Sequence, residues 1–424
     1  MPAEMNARYE ELSPAARRAY RLMGSLPCTE FTSDLVAVAA AIPRAQAPGA
    51  VAELSRAGLF TSGRSEGRVR FCSALGRDHA ASLSKATYSD SARGAAFERM
   101  TRWLLQMAVT AQQALHPGRP GTGRYFQQPS APMVFAHRGA AAEWLTTESD
   151  NLMATQRETF RLGRRQEVYE LAEAMRDVWA LPARGRGRPI SNWKQVHWHG
   201  WAAAKKANEP RWQARMLEGL AAVCNHTRQP EAEEYARQAL DLARDAHDDA
   251  RVAAALTELG VAQLIASDIH QANRTLSQAR NLYQGVGDDW GIAVANRRLG
   301  QIAADQGRHH DALGHYEFAL AYVTDHGEPL LQARILTLAG RSHLRLGHAE
   351  LAETRLNAAL TIAQQNAADE ESGHAHAALA ELAEHRSDFE TQCEHLQLAY
   401  LQLASVGAPQ APAIGETLAG LRRT

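Results

Sequence analysis

Four arginines in the second half of the chain are spaced so that their side chains could meet around one anion. Arg334, Arg341 and Arg345 lie one to two helical turns apart, and Arg297 precedes them by about one structural unit. Planar guanidinium groups that converge in this way bind carboxylate or phosphate through paired, charge-assisted hydrogen bonds. Gln301 and Thr337 add neutral polar groups at the same spacing, and Val261, Leu264 and Ile265 would receive an apolar part of the same ligand. Asp305, His374, Glu381 and Glu384 occupy equivalent positions. The alternative is that the arginines pair with Asp305, Glu381 and Glu384 and hold successive units together.

Other constellations carry less chemistry. The tightest histidine groups are His197-Trp198-His199, His309-His310-Asp311 and His374-Ala375-His376. Adjacent and i,i+2 side chains on a helix do not converge on one ion, so no metal site is expected. No Ser/His/Asp or Cys/His set with a flanking motif is present, and no catalytic residue is assigned. Ala183-Arg184-Gly185-Arg186-Gly187-Arg188-Pro189 leads into Trp193-Lys194-Gln195-Val196-His197-Trp198-His199-Gly200-Trp201, then Lys205-Lys206. Basic residues among aromatics suit single-stranded nucleic acid. The helical spacing of Trp193, Val196, His197, Gly200, Trp201 and Ala204 instead favours the buried face of a helix beside a solvated basic loop.

The elements that would position the arginines follow from a forty-residue period. Ala239, Ala279, Ala319, Ala359 and Ala399 form one series, Ala272, Ala312 and Ala352 a second, and Gly260, Gly300 and Gly340 a third. Within each period two apolar helical stripes flank a break such as Gln306-Gly307-Arg308, so the unit is a helix-turn-helix hairpin. Small residues at 260, 300, 340 and Ala380 permit close helix approach, while Leu276, Tyr316, Leu356 and Leu396 fill the space between. This pattern resembles the tetratricopeptide repeat, lengthened beyond its usual ~34 residues. Such units bury their apolar faces only against their neighbours. The expected fold is all-α: a winged-helix domain (1–87) with a small β-hairpin, a helical connector (88–160), a degenerate helical hairpin (161–210), five repeats (211–412) and a capping helix (413–424).

Composition agrees with a folded, water-soluble chain of 424 residues, 45% of them hydrophobic. No apolar run is long enough to cross a membrane, and Met1–Glu11 carries charges where a signal peptide needs an apolar stretch. Cys28, Cys72, Cys224 and Cys393 are scattered without metal or disulfide spacing, which fits a reducing cytoplasm. The net charge of −1 hides an asymmetry: from Glu231 onward 15 Arg face 27 Asp and Glu, and the preceding part carries the opposite sign. Arginine outnumbers lysine by 42 to 4, the codon bias of a GC-rich genome such as an actinobacterium's.

Ahead of the repeats, Pro14–Leu26, Thr32–Ala41 and Pro48–Ala57 read as short helices. Leu59-Phe60-Thr61 and Arg68-Val69-Arg70-Phe71 flank a turn-rich segment, 62–67. Ser13-Pro14 is a capping serine before proline at the first helical position. Leu12-Ser13-Pro14-Ala15-Ala16-Arg17-Arg18, Tyr20-Arg21-Leu22-Met23, Leu26-Pro27, Phe31, Leu54-Ser55-Arg56-Ala57-Gly58-Leu59 and Val69-Arg70-Phe71 are similar to the winged-helix segment of actinobacterial STAND-type regulators. These are NB-ARC ATPases with tetratricopeptide tails, related to streptomycete antibiotic regulatory proteins. Ala114-Leu115-His116-Pro117-Gly118-Arg119-Pro120, then Ala141-Ala142-Glu143-Trp144-Leu145 and Glu148-Ser149-Asp150-Asn151-Leu152-Met153-Ala154, resemble the connector before their repeats.

The resemblance implies a regulator of secondary metabolism, with one part missing. No phosphate-cradling Gly-rich loop with its lysine occurs here. The family's His-Asp pair after the hairpin phenylalanine is replaced by Cys72-Ser73. Nucleotide binding is therefore not carried over, and no cofactor is expected. The preferred reading is a non-enzymatic regulatory adaptor whose concave repeat face binds a peptide, a protein or a small anionic effector, a role compatible with a homodimer. A second reading is a ligand-gated transcription factor that contacts DNA through Arg56 on the recognition helix and Arg64, Arg68 and Arg70 on the wing. One arginine on that helix is little for reading bases. A third reading is an enzyme that uses the groove as its pocket.

Overall fold

The computed structural model describes residues 2–127, 134–176, 178 and 190–422. The basic run 183–189 lies outside the described residues. Two compact units form, Met1–Gln112 with Thr122–Met175 and Gln113–Gly121 with Arg176–Thr424. Among the described residues, no helix is long and apolar enough to cross a membrane.

The first unit begins with α1 (Pro2–Glu10), α2 (Pro14–Gly24), β1 (Phe31–Thr32), α3 (Ser33–Ala40), α4 (Ala47–Arg56), β2 (Phe60–Ser62), β3 (Arg68–Phe71) and α5 (Ala74–Thr87). Ser13 caps α2 as its sequence implies: its hydroxyl oxygen accepts from Ala16 N and donates to Glu53 Oε2 at 2.6 Å. The expected two-stranded hairpin is instead a three-stranded antiparallel sheet in the order β1-β3-β2, with Phe31 opposite Val69 and Phe60 opposite Phe71. Two residues of β1 are too few for an alternating pattern to show. The register stacks Phe31, Phe60 and Phe71 edge to face over the buried Tyr20, whose hydroxyl donates to Gly76 O at 2.8 Å. The result is winged-helix-like. Helices α6 (Asp90–Leu115), α7 (Arg124–Gln127), α8 (Arg138–Arg161) and α9 (Arg165–Ala174) follow.

The second unit opens its helices with α10 (Ile190–Ala207). Val196, His197, Gly200 and Ala204 are buried on it, Trp193 and Trp201 half-buried, and Trp198 exposed, so this stripe is a packing face. Five hairpins follow: α11 (Pro210–His226) with α12 (Glu231–Asp245), α13 (Asp249–Ile265) with α14 (Ile269–Val286), α15 (Asp289–Asp305) with α16 (His309–Asp325), α17 (Pro329–Arg345) with α18 (Ala349–Gln365), and α19 (Asp369–His385) with α20 (Phe389–Ser405). Helix α21 (Ala411–Leu421) packs on α20.

The small and large positions interlock as the periodicity predicts. A β-carbon at Gly260 would stand 2.6 Å from Leu276, and one at Gly340 would stand 2.6 Å from Leu356. At Gly300 it would run into the Tyr316 ring. The turns repeat twice as often as the hairpins. His247, Ser267, Gly287, Gly307, Gly327, Gly347, Ala367, Ser387 and Gly407 all take positive φ. At each, the next residue's N–H closes on the carbonyl five residues back, as in Arg308 N to Ala303 O at 2.8 Å and Ala368 N to Ala363 O at 2.9 Å. This left-handed closure satisfies carbonyls that the helix end leaves open. Asp248, Asp268, Asp288 and Asp388 then cap the next helix with their carboxylates.

Successive first helices of the hairpins, α11 through α19, pack directly on one another to a degree that successive second helices do not. They form the inner layer of the array.

Candidate functional site

A first helix is covered by its own partner, the preceding second helix and the neighbouring first helices. What stays open is one stripe facing inward. On α15 it comprises Val294, Arg298, Gln301 and Asp305, and on α17 Arg334, Leu338, Arg341 and Arg345. The expected face is displaced by one residue at two positions. Thr337 is 4% exposed and its hydroxyl donates to Ala333 O at 3.0 Å within its own helix. Arg297 is 5% exposed. Residues at this offset turn between packed helices, and Arg298, which is not among the expected residues, stands on the open stripe.

The arginines of α17 are compensated. Arg334 pairs with Glu371 and, at 3.4 Å, with Glu370. Arg341 pairs with Glu381 at 3.0 Å, and Arg345 lies 3.9 Å from the same carboxylate. The expected alternative of acidic partners is thus the geometry found, although Glu370 and Glu371 replace Asp305 and Glu384. The pairs remain open to water, with the side chains of Arg334 and Arg341 36% and 34% exposed. Burial alone would raise the Glu370 carboxyl, but the His374 hydrogen bond and the Arg334 charge outweigh it and hold it below the usual carboxylate range.

On α15 the balance is different. Arg297 Nη1 and Arg298 Nη1 both donate to Gln301 Oε1, at 3.4 and 3.1 Å. Burial, then repulsion from Arg334, lowers Arg298 to about 10. Burial and the adjacent Arg298 push Arg297 well down from the usual arginine range. On the preceding first helix, α13, Glu258 is pushed up by burial while Asn225 Nδ2 donates to its Oε2 at 2.9 Å.

The apolar candidates divide. Val261 is buried, Leu264 is half-buried against the cluster that holds Leu276 and Ile302, and Ile265 is exposed, at 37%. Among the described residues, no three His, Cys, Asp or Glu side chains group to hold a metal ion.

In the winged-helix-like unit the four basic candidates also separate. Arg56 ends α4 exposed, and Arg70 is exposed on β3. Arg64 lies 3.6 Å from Glu30. Arg68 is not a surface cation: its side chain is buried against Glu148 and also donates to Glu30 O at 2.8 Å, while Asn151 Nδ2 donates to Glu148 Oε2 at 2.7 Å. A charge already neutralised inside the fold cannot serve a phosphate, which removes the central arginine of the supposed wing contact.

One feature of the second unit had no local signal. The segment after α6 lies on the repeats, where His116 Nδ1 is 2.8 Å from the buried Glu328 Oε2 and the Arg119 guanidinium sits 5.2 Å over the Trp290 ring. Gly118 fits closely because a β-carbon there would come within 2.6 Å of Tyr322 Oη.

Comparison with known proteins supports the repeat assignment within the second unit. The Tetratricopeptide repeat family model matches residues 291–365. Regulatory protein AfsR of Streptomyces griseus is 28% identical over 307 residues, covering 71% of this chain and 30% of that protein. Regulatory protein AfsR of Streptomyces coelicolor is 26% identical over 302 residues, covering 70% and 29%. The chain is thus homologous to AfsR regulatory proteins and spans about 30% of their length. Among solved structures, a STAND protein with a tetratricopeptide repeat sensor from Pyrococcus horikoshii aligns over 95% of this chain and 60% of that one, at 12% identity and a TM-score of 0.44. A Rap protein complexed with competence and sporulation factor aligns over 76% and 96%, at 13% identity and a TM-score of 0.45.

Proposed function

We propose that this chain is a non-enzymatic regulatory protein whose repeat array holds a peptide or protein segment on its inner face. One observation carries this reading. The array packs through alanine, glycine and leucine, yet the stripe its first helices leave open bears Arg298, Gln301, Arg334, Arg341, His374 and Glu381 in turn. Burial of the apolar faces does not call for a continuous polar stripe on the inner layer, whereas an extended polar segment is matched by one. Homology to regulatory proteins over most of the chain supports the regulatory role. The winged-helix-like unit then contacts a second protein, since its buried Arg68 is unavailable to DNA.

Affinity capture from a lysate of the source organism, followed by calorimetry with the recovered partner, tests the reading. Arg341→Ala is expected to weaken that partner by about 1–3 kcal/mol with helix content unchanged. A partner that binds the Arg341→Ala chain as tightly as the parent would remove the inner face as its site.

A further inference from the structure

We propose that Arg297, Arg298 and Gln301 on the inner face of α15 form a binding site for a single carboxylate group. This rests on the reading of the inner face as a binding surface and names the chemistry of what that surface holds.

Two guanidinium groups converge on one neutral oxygen, Gln301 Oε1, at 3.4 and 3.1 Å. Among the described residues, no carboxylate lies within ion-pair distance of either. The Nε atoms of both arginines are buried without a hydrogen-bond partner, and Arg297 as a whole is 5% exposed. Two cations drawn together, one of them buried, and sharing one amide dipole are unfavourable unless an anion joins them. Arginines elsewhere on the stripe are not left in this condition. Arg334, Arg341 and Arg345, one repeat further on, each have a carboxylate of α19.

Packing does not account for the second cation. Position 338, forty residues after Arg298 on the same stripe, holds Leu338, so an uncharged side chain serves the array there. A forked donor pair matches the two oxygens of a carboxylate, and the Gln301 amide can offer its NH2 group to the same anion once its oxygen is released. The charge of the ligand is limited by its surroundings. Glu258 of α13 acts on the charge of Arg298 from one side, and Arg334 brings Glu370 and Glu371 to the other. Each charge beyond the first would meet these carboxylates. A peptide C-terminus or an acidic side chain fits these limits, and a doubly charged phosphate does not.

The test is an NMR titration of the arginine Nε–Hε signals of the full chain with sodium acetate, against sodium chloride at equal ionic strength, with inorganic phosphate as a parallel arm. Signals are assigned by their loss in Arg297→Gln and Arg298→Gln. Acetate is expected to shift both signals saturably, and Arg298→Gln to weaken the apparent affinity read at Arg297 at least about tenfold. Gln301→Glu supplies a carboxylate from within the chain. It should raise the melting temperature and abolish the acetate response. No saturable shift, a lowered melting temperature in Gln301→Glu, or phosphate binding tighter than acetate would each overturn the site as assigned. A captured partner that is weakened by Arg341→Ala and untouched by Arg298→Gln would also sink this site, while leaving the proposed function intact.

Discussion

The Tyr316 ring fills the space that a β-carbon on residue 300 would need. The contact brings α15 and α16 together at the centre of the array, and the same arrangement recurs at Gly260 with Leu276 and at Gly340 with Leu356. Gly300→Ala should therefore destabilise the chain by about 1–3 kcal/mol, the range for overpacking, although alanine is the better helix former by ~1 kcal/mol. Chemical denaturation measures it. A stability equal to or above the parent's would show that the ring yields freely.

The left-handed turns give a prediction of opposite sign. Ala367 and Ser387 hold φ of 49° and 58°, where a β-carbon is crowded. Ala367→Gly and Ser387→Gly should each stabilise the array by roughly 0.5–1 kcal/mol after glycine's greater freedom in the unfolded chain is deducted. Gly307→Ala should lose a similar amount. Thermal melts that rank these variants in the reverse order would contradict the turn geometry.

His376 supplies a pH dependence. It is buried on α19 with its Nδ1 3.0 Å from His395 Nδ1, and burial, then repulsion from His395, lowers it to about 4. The unfolded chain takes up this proton near pH 6.5, so it binds more protons than the folded chain between there and pH 4, and stability falls as pH is lowered through that window. The loss should be about 1–2 kcal/mol by pH 4.5 after discounting for solvent screening. His376→Gln should flatten the pH profile of the melting temperature. An unchanged profile would assign the acid sensitivity to other groups.

Arg68 and Glu148 form a buried ion pair in the first unit. Arg68→Ala leaves a carboxylate buried without its cation and should cost about 3–5 kcal/mol. The double change Arg68→Met with Glu148→Leu should recover most of that. Arg70→Ala, exposed two residues along the same strand, should leave stability within about 0.5 kcal/mol. Equal effects from Arg68→Ala and Arg70→Ala in a denaturant titration would refute the assigned roles.

The repeats were legible because close packing writes itself into residue size: a position that must be small at 260, 300 and 340 faces one that must be large at 276, 316 and 356. The inner stripe was legible only to within one residue. The periodicity of a helix fixes its buried face, but it does not say whether residue 297 or 298 leads the edge of that face, and 100° of rotation separates the two. The partners of the arginines were harder to read. Glu370 and Glu371 reach Arg334 from the start of the next first helix, and which carboxylate arrives depends on side-chain length and helix offset. The contacts of His116 and Arg119 with the repeats left no trace, because a pairing across about two hundred residues has no local pattern.

Positive-φ turns every twenty residues make the joint inside a hairpin the same as the joint between hairpins. Deleting or duplicating one helix with its turn would therefore leave every joint chemically sound. It would also exchange the inner and outer layers for all that follows, sending Arg298 and Arg334 to the outside and the faces of α16 and α18 to the inside. Chain length in an array of this kind can thus drift only in steps of two helices. A single-helix insertion would be tolerated by the turns and rejected by the groove.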